Sequence, residues 1–113
     1  MKHHESKLQI ACVKWFRYQY PGVIIASFPN GGYRTAITAS IMKAEGQRAG
    51  MPDLFVPVAK HGYHGLFIEM KSDKGKMSSN QIEIHAKLTG SGYKVEVCRS
   101  FEDFSQVIDT YLK

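Results

Sequence analysis

The sequence predicts an α/β domain: a mixed β-sheet flanked by helices, in the order α-β-α-β-β-α-β-α. Three observations carry this prediction. Stretches with apolar residues three and four apart open and close the chain. Short runs rich in Val, Ile and Phe lie between them, bounded by Gly, Pro and Asn. One helix-length stretch falls between two strand-like runs at 66–98, the arrangement of a right-handed parallel crossover.

Residues 5–19 form the first predicted helix, because Leu8, Cys12, Trp15 and Phe16 repeat at i, i+4, i+7 and i+8 and build one apolar stripe. Pro21-Gly22 stops it. The run VIIASF at 23–28 is apolar and β-branched and is expected to be a buried strand, followed by loop chemistry in PNGG at 29–32. A second helix is expected over 35–45, with Ile37, Ile41 and Met42 turned inward and Gly46 just past its end. DLFVPV at 53–58 and GLFIEMK at 65–71 read as two strands of a hairpin, joined through a connection containing Gly and His. After the SDKGKM loop, Ser78 and Gln81 have the spacing of a capping box and start a third helix that ends near Thr89. YKVEVC at 93–98 alternates as a strand. Ser100 and Asp103 then open the last helix, which carries an apolar stripe running from Phe101 and Phe104 to Tyr111 and Leu112.

A length of 113 residues suits a single domain over 1–113 with a core of its own. No apolar run approaches the ~18 residues of a membrane-crossing helix, and MKHHESKLQI lacks the apolar segment of a secretion signal. A cytoplasmic location and no membrane partner are therefore expected. Cys12 and Cys98 lie far apart without CxxC spacing and read as reduced core thiols. The histidines have no ligand spacing combined with cysteines, which argues against zinc; His61 and His64 read as loop residues. Fifteen Lys and Arg against ten Asp and Glu give a net charge of +5 and a pI near 9.3. That basic excess is compatible with a nucleic-acid partner without requiring one.

Charged residues at the ends of buried strands are costly unless paired or liganded, which singles out Asp53, Glu69 and Lys71. Strand alternation sends Leu66, Ile68 and Met70 to one face and Phe67, Glu69 and Lys71 to the other. Glu69 and Lys71 then project side by side, and an adjoining strand about 4.8 Å away brings Asp53 next to Glu69. Two hard oxygen ligands there suit Mg²⁺ or Mn²⁺, with the carbonyl of Met70 as a third. Without a cation, two carboxylates this close repel, and one keeps its proton. Lys71 stands where an ammonium group can orient an attacking water or stabilise charge on a phosphate. Taken singly, Asp53 reads as a turn residue after Pro52, and Glu69 with Lys71 as a solvated pair at a strand end. Their conjunction points to metal chemistry.

Pro52-Asp53 followed by Glu69-Met70-Lys71 resembles the PD-(D/E)XK nuclease superfamily. The longer strings GQRAGMPDLFVP, FIEMKSDKGKMSSNQ and LTGSGYKVEVCRSFEDFSQVIDTYL resemble its VRR-NUC family, the virus-type replication and repair nuclease domain, over essentially the whole chain. Gly46, Gly50, Gly75 and Gln81 are part of that likeness. The resemblance implies a restriction-endonuclease-like fold and a Mg²⁺-dependent endonuclease, with Mn²⁺ as substitute and no small-molecule cofactor. Asp53 and Glu69 would be metal ligands and Lys71 catalytic, with Gln81 brought into the site at the start of the third helix. Glu5, on the first helix, matches a position for a further metal or water contact. It also implies branched DNA as substrate, four-way (Holliday) junctions included, a homodimer, 5′-phosphate products, and a bacterial or phage replication and repair setting.

Plainer readings exist for several of these residues. The capping box already explains Gln81, and a helix-dipole partner in the first turn explains Glu5. Arg34, Arg48, Lys74 and Lys76, in or beside the loops flanking the site, are candidates to hold phosphates together with the backbone amides of NGGYR; each alone reads as a surface charge. Tyr33 can stack on an unpaired base or simply pack. A non-catalytic nucleic-acid-binding module, or an RNA nuclease using the same residues, is the alternative function. Binding indifferent to EDTA and to Glu69→Ala marks the first, and comparing DNA and RNA versions of one junction tests the second.

Overall fold

A computed structural model describes residues 3–29 and 34–113, without the side chains of 3 and 4. The amides of 30–33 and the Tyr33 ring, expected above to meet nucleic acid, lie outside the described residues. Eight elements follow in the expected order: α1 (His3–Gln19), β1 (Ala26–Ser27), α2 (Ala36–Ala44), β2 (Leu54–Val56), β3 (Leu66–Met70), α3 (Ser79–Gly90), β4 (Lys94–Cys98) and α4 (Phe101–Leu112). The four strands form one mixed sheet in the order β1-β2-β3-β4, antiparallel across β1, β2 and β3 and parallel between β3 and β4. The parallel pair with α3 between its strands is the crossover expected from 66–98.

Local chemistry sets the element ends. The Ser78 hydroxyl accepts from the Gln81 amide N–H, and the Gln81 side-chain oxygen accepts from the Ser78 N–H, so the capping box at α3 is complete. Ser100 caps α4 in the same way, accepting from Asp103 N–H, while Asp103 accepts from the Arg99 N–H. The β2–β3 hairpin turns through His61 and Gly62, both at positive φ, as a tight primed turn requires. From that turn Lys60 donates to the Leu112 carbonyl and His61 lies 3.0 Å from the Tyr111 carbonyl, so the hairpin closes off the carboxyl end of α4.

The core lies on one face of the sheet. Leu54, Val56, Leu66, Ile68, Met70 and Cys98 share a buried cluster with Cys12 and Phe16 of α1 and with Phe104, Ile108 and Tyr111 of α4. Burying each of these large side chains contributes roughly 1.5–3 kcal/mol. The Phe67 ring stacks on Phe55 at 4.4 Å and meets Tyr93 edge-on at 5.2 Å on the opposite face. β3 is therefore buried on both sides, which explains why its apolar run is unbroken until Glu69.

Two expectations are corrected. The run 23–28 is not a buried strand: only Ala26 and Ser27 pair, both exposed, and Ile24 faces solvent. An edge strand has one neighbour; Val23 and Ile25 of this run pack partly against the core, and Phe28 stacks on Phe67 across the other face. Second, Ile37 and Ile41 do not turn inward. They are 75% and 53% exposed, and α2 has no buried side chain. Its ends are held through polar groups instead: Thr35 caps its start, and Arg34 reaches from there to the Gln47 side chain and the Pro29 carbonyl.

Candidate active site

The antiparallel register pairs Leu54 with Ile68 and Phe55 with Phe67. One step further along both strands, Asp53 stands across from Glu69. Both are buried, at 8% and 3% exposure. Asp53 is fixed by its Oδ2, which accepts from the Met70 N–H at 2.7 Å. Lys71 follows directly, its own N–H donating to the Cys98 carbonyl so that the parallel ladder extends to this residue.

Glu69 is held on both oxygens by α3. Its Oε2 accepts from Gln81 Nε2 at 3.2 Å, and its Oε1 lies 3.1 Å from His85 Nε2. Gln81 and His85 are four residues apart, so one helix face presents both groups. Burial raises the Glu69 carboxyl far above the usual carboxylate range, to about 9, and the Asp53 charge with its hydrogen bond adds to this, as does the Glu5 charge; only Lys71 opposes. Burial and the Lys71 charge push the His85 imidazole down, against the Asp53 charge. The neutral imidazole is favoured, and it shares a proton with the Glu69 carboxyl in one direction or the other.

A cavity of about 400 Å³ joins these groups, with Glu5, Asp53, Glu69, Met70, Lys71 and Gln81 in its walls. All six side chains or carbonyls expected in the catalytic site are thus brought together. Gly50 makes part of the opposite wall. Its φ is +90°, and a Cβ there would sit 2.6 Å from the Asn80 carbonyl oxygen, so a residue without a side chain lets this loop close against the start of α3.

Among the described residues, no three His, Cys, Asp or Glu side chains converge into a ready-made metal cage. The donor set fits a Mg²⁺-like cation nonetheless, because such an ion takes one or two carboxylates and fills its shell with water and substrate oxygens. The raised Glu69 carboxyl is in keeping with that fit: burial first and the Asp53 charge second disfavour its charged form, and the Lys71 charge offsets them only in part.

The four basic residues expected to hold phosphates are not in the cavity wall. Arg34 donates to Gln47 and the Pro29 carbonyl, Arg48 makes an exposed 3.8 Å contact with Glu83, and Lys74 and Lys76 are exposed on the loop after Lys71. Two participants escaped the sequence reading. His85 carries no expectation beyond the lack of zinc-ligand spacing among the histidines, yet its place one turn after Gln81 puts it on the same face of α3. Arg99 donates to the Ser72 and Gly75 carbonyls at 2.9 and 2.6 Å, tying the loop after Lys71 to the end of β4.

Comparison with known proteins agrees with the fold. The VRR-NUC domain profile matches residues 3–102. A solved structure titled as a VRR_NUC domain protein superposes with a TM-score of 0.83 at 26% identity, covering 99% of this chain and 90% of the other. A second, titled VRR_NUC domain, superposes at 0.63 and 24% identity, covering 95% and 96%, and supports the fold. No curated protein matches. What the family match and the fold define is a nuclease-type domain, from a family that implies DNA as its class of substrate. The chain belongs to the VRR-NUC family.

Proposed function

We propose that this protein is a divalent-metal-dependent, structure-selective DNA endonuclease that hydrolyses phosphodiester bonds in branched DNA, four-way junctions included. The observation that carries the reading is the buried Asp53–Glu69 pair, with Lys71 alongside, at the end of a strand buried on both faces. Asp53, Glu69 and the Met70 carbonyl would hold Mg²⁺, or Mn²⁺ in its place. When bound, such a cation neutralises phosphate charge and makes water a better nucleophile.

The chain's own groups do the rest. The Met70 N–H and the Gln81 and His85 side chains fix the planes of the two carboxylates before substrate arrives, so little reorganisation is needed at reaction. Lys71 offers a compact positive charge to the scissile phosphate. Glu5, on the facing wall, positions water or a further oxygen contact. Arg34, Arg48, Lys74 and Lys76 act outside the cavity, as contacts along the flanking backbone. The enzyme acts as a homodimer, so that two sites face a two-fold junction, with the exposed isoleucines of α2 as apolar surface for the second copy. It works in the cytoplasm of a bacterium or phage-infected cell.

The test is cleavage of a labelled four-way junction in Mg²⁺ and in EDTA, comparing wild type with Asp53→Ala. Cutting by the wild type in Mg²⁺ alone is expected. Equal cutting by both proteins, or none on any branched, nicked or flapped substrate, overturns the proposal.

A further inference from the structure

A second groove begins where the active site ends. It lies between α1 and the edge strand β1, encloses about 500 Å³, and is lined by Gln9, Val13, Lys14 and Arg17 on one side and Ile25 and Ser27 on the other. Gln9 is one helical turn beyond Glu5, which belongs to the catalytic cavity, and Leu54 in the groove floor follows Asp53 directly. The two depressions are therefore consecutive along both α1 and β2.

Its charge is one-sided. Lys14 and Arg17 are its only ionisable lining residues, and neither makes a salt bridge among the described residues. Lys7 is exposed about two turns from Lys14 in the other direction, and Tyr18, 84% exposed, follows Arg17. At 1.5 Å rise per residue, Lys7 to Arg17 spans about 15 Å. That is about four phosphates at the ~3.4 Å axial spacing of one DNA strand. Gln9, half-buried at the end of the groove nearest the active site, adds a side-chain amide to the lining.

From this we infer that the α1–β1 groove seats the nucleic-acid strand running up to the cleaved phosphate. Lys14 and Arg17 hold consecutive phosphates, Gln9 contacts the sugar or base edge nearest the site, and Tyr18 stacks on an unpaired base at the far end. Phosphates are the occupant that the charge selects: an acidic strand meets cations with no competing carboxylate until it reaches Glu5 and the metal site. The inference rests on the nuclease reading and deepens it by giving the substrate a direction across the protein.

The experiment compares wild type, Lys14→Ala/Arg17→Ala, and a charge-matched control, Lys87→Ala/Lys113→Ala, all of exposed residues. Affinity for a fluorescein-labelled four-way junction and for a short labelled single strand is followed by anisotropy in EDTA from about 50 to 200 mM salt, the range over which such contacts are read. Removing two phosphate contacts should flatten the slope of log K against log salt by about 1.4 to 1.8, with the control close to wild type. Over that fourfold salt range the wild-type affinity then falls about tenfold more than that of the double variant. Cleavage in Mg²⁺ should drop with binding, while thermal stability stays at the wild-type value. A groove variant whose slope equals that of the control, in a wild-type background that cuts the junction, overturns the inference and leaves the nuclease reading standing. A wild type that cuts nothing removes the reading beneath it as well.

Discussion

Replacing Glu69 by Gln should stabilise the metal-free protein, and increasingly so as pH rises. Glu69 has an ordinary carboxyl value of 4.5 and is raised to about 9 in the folded chain, chiefly by burial and then by Asp53. Between those values the folded protein keeps a proton that the unfolded chain has released. Stability is therefore full below the unfolded value and falls as pH climbs toward the folded one, by about 1.4 kcal/mol per pH unit for one such group. Sharing of the proton with the Asp53 carboxylate spreads this over the pair, so from pH 5 to pH 8 the wild type should lose roughly 2–4 kcal/mol. Gln fills the same space and does not titrate. Its oxygen can face Gln81 Nε2 while its amide faces His85 Nε2, so the contacts of Glu69 survive. Far-UV circular dichroism melts in EDTA at pH 5, 6, 7 and 8 read the difference. The Tm of Glu69→Gln should rise relative to wild type by at least about 8 °C across the series, taking roughly 4 °C per kcal/mol. A gap that does not change with pH would show that the carboxyl ionises freely, and the argument for a compressed acidic pair would fail.

Two further changes test the surroundings of the pair. His85→Leu removes the partner of Glu69 Oε1 and should weaken Mn²⁺ uptake by about tenfold or more in titration calorimetry, with partial recovery in His85→Gln; unchanged affinity would make the contact incidental. Gly50→Ala forces a side chain into positive φ and against the Asn80 carbonyl, a strain of about 1–3 kcal/mol, and should lower both Tm and junction cleavage. An unchanged Tm would mean that the wall is not tight.

Much of this was legible because strands and caps obey local rules. Leu54 opposite Ile68 makes Asp53 opposite Glu69 a matter of register, and register follows from which face of each strand is apolar. Ser78 and Gln81 announced α3 by their spacing alone. What failed depended on neighbours. Periodicity shows that Ile37 and Ile41 share a side of α2, yet it says nothing of whether another element covers that side, and among the described residues none does. The β-branched run at 23–28 reads as interior, but only a partner on each flank would have made it so. Arg99 matters through carbonyls 24–27 positions away, a distance that no local pattern encodes, whereas the spacing of His85 from Gln81 already puts both on one face of α3.

Gln81 serves two masters at once: its oxygen closes the first turn of α3, and its nitrogen steadies Glu69. At most helix starts of this type glutamate would do as well as glutamine. Here that near-synonymous swap would leave the turn intact and add a fourth acid to Glu5, Asp53 and Glu69 in the cavity wall. The first turn of α3 would tolerate a change that removes the donor to Glu69, and only the amide supplies that nitrogen.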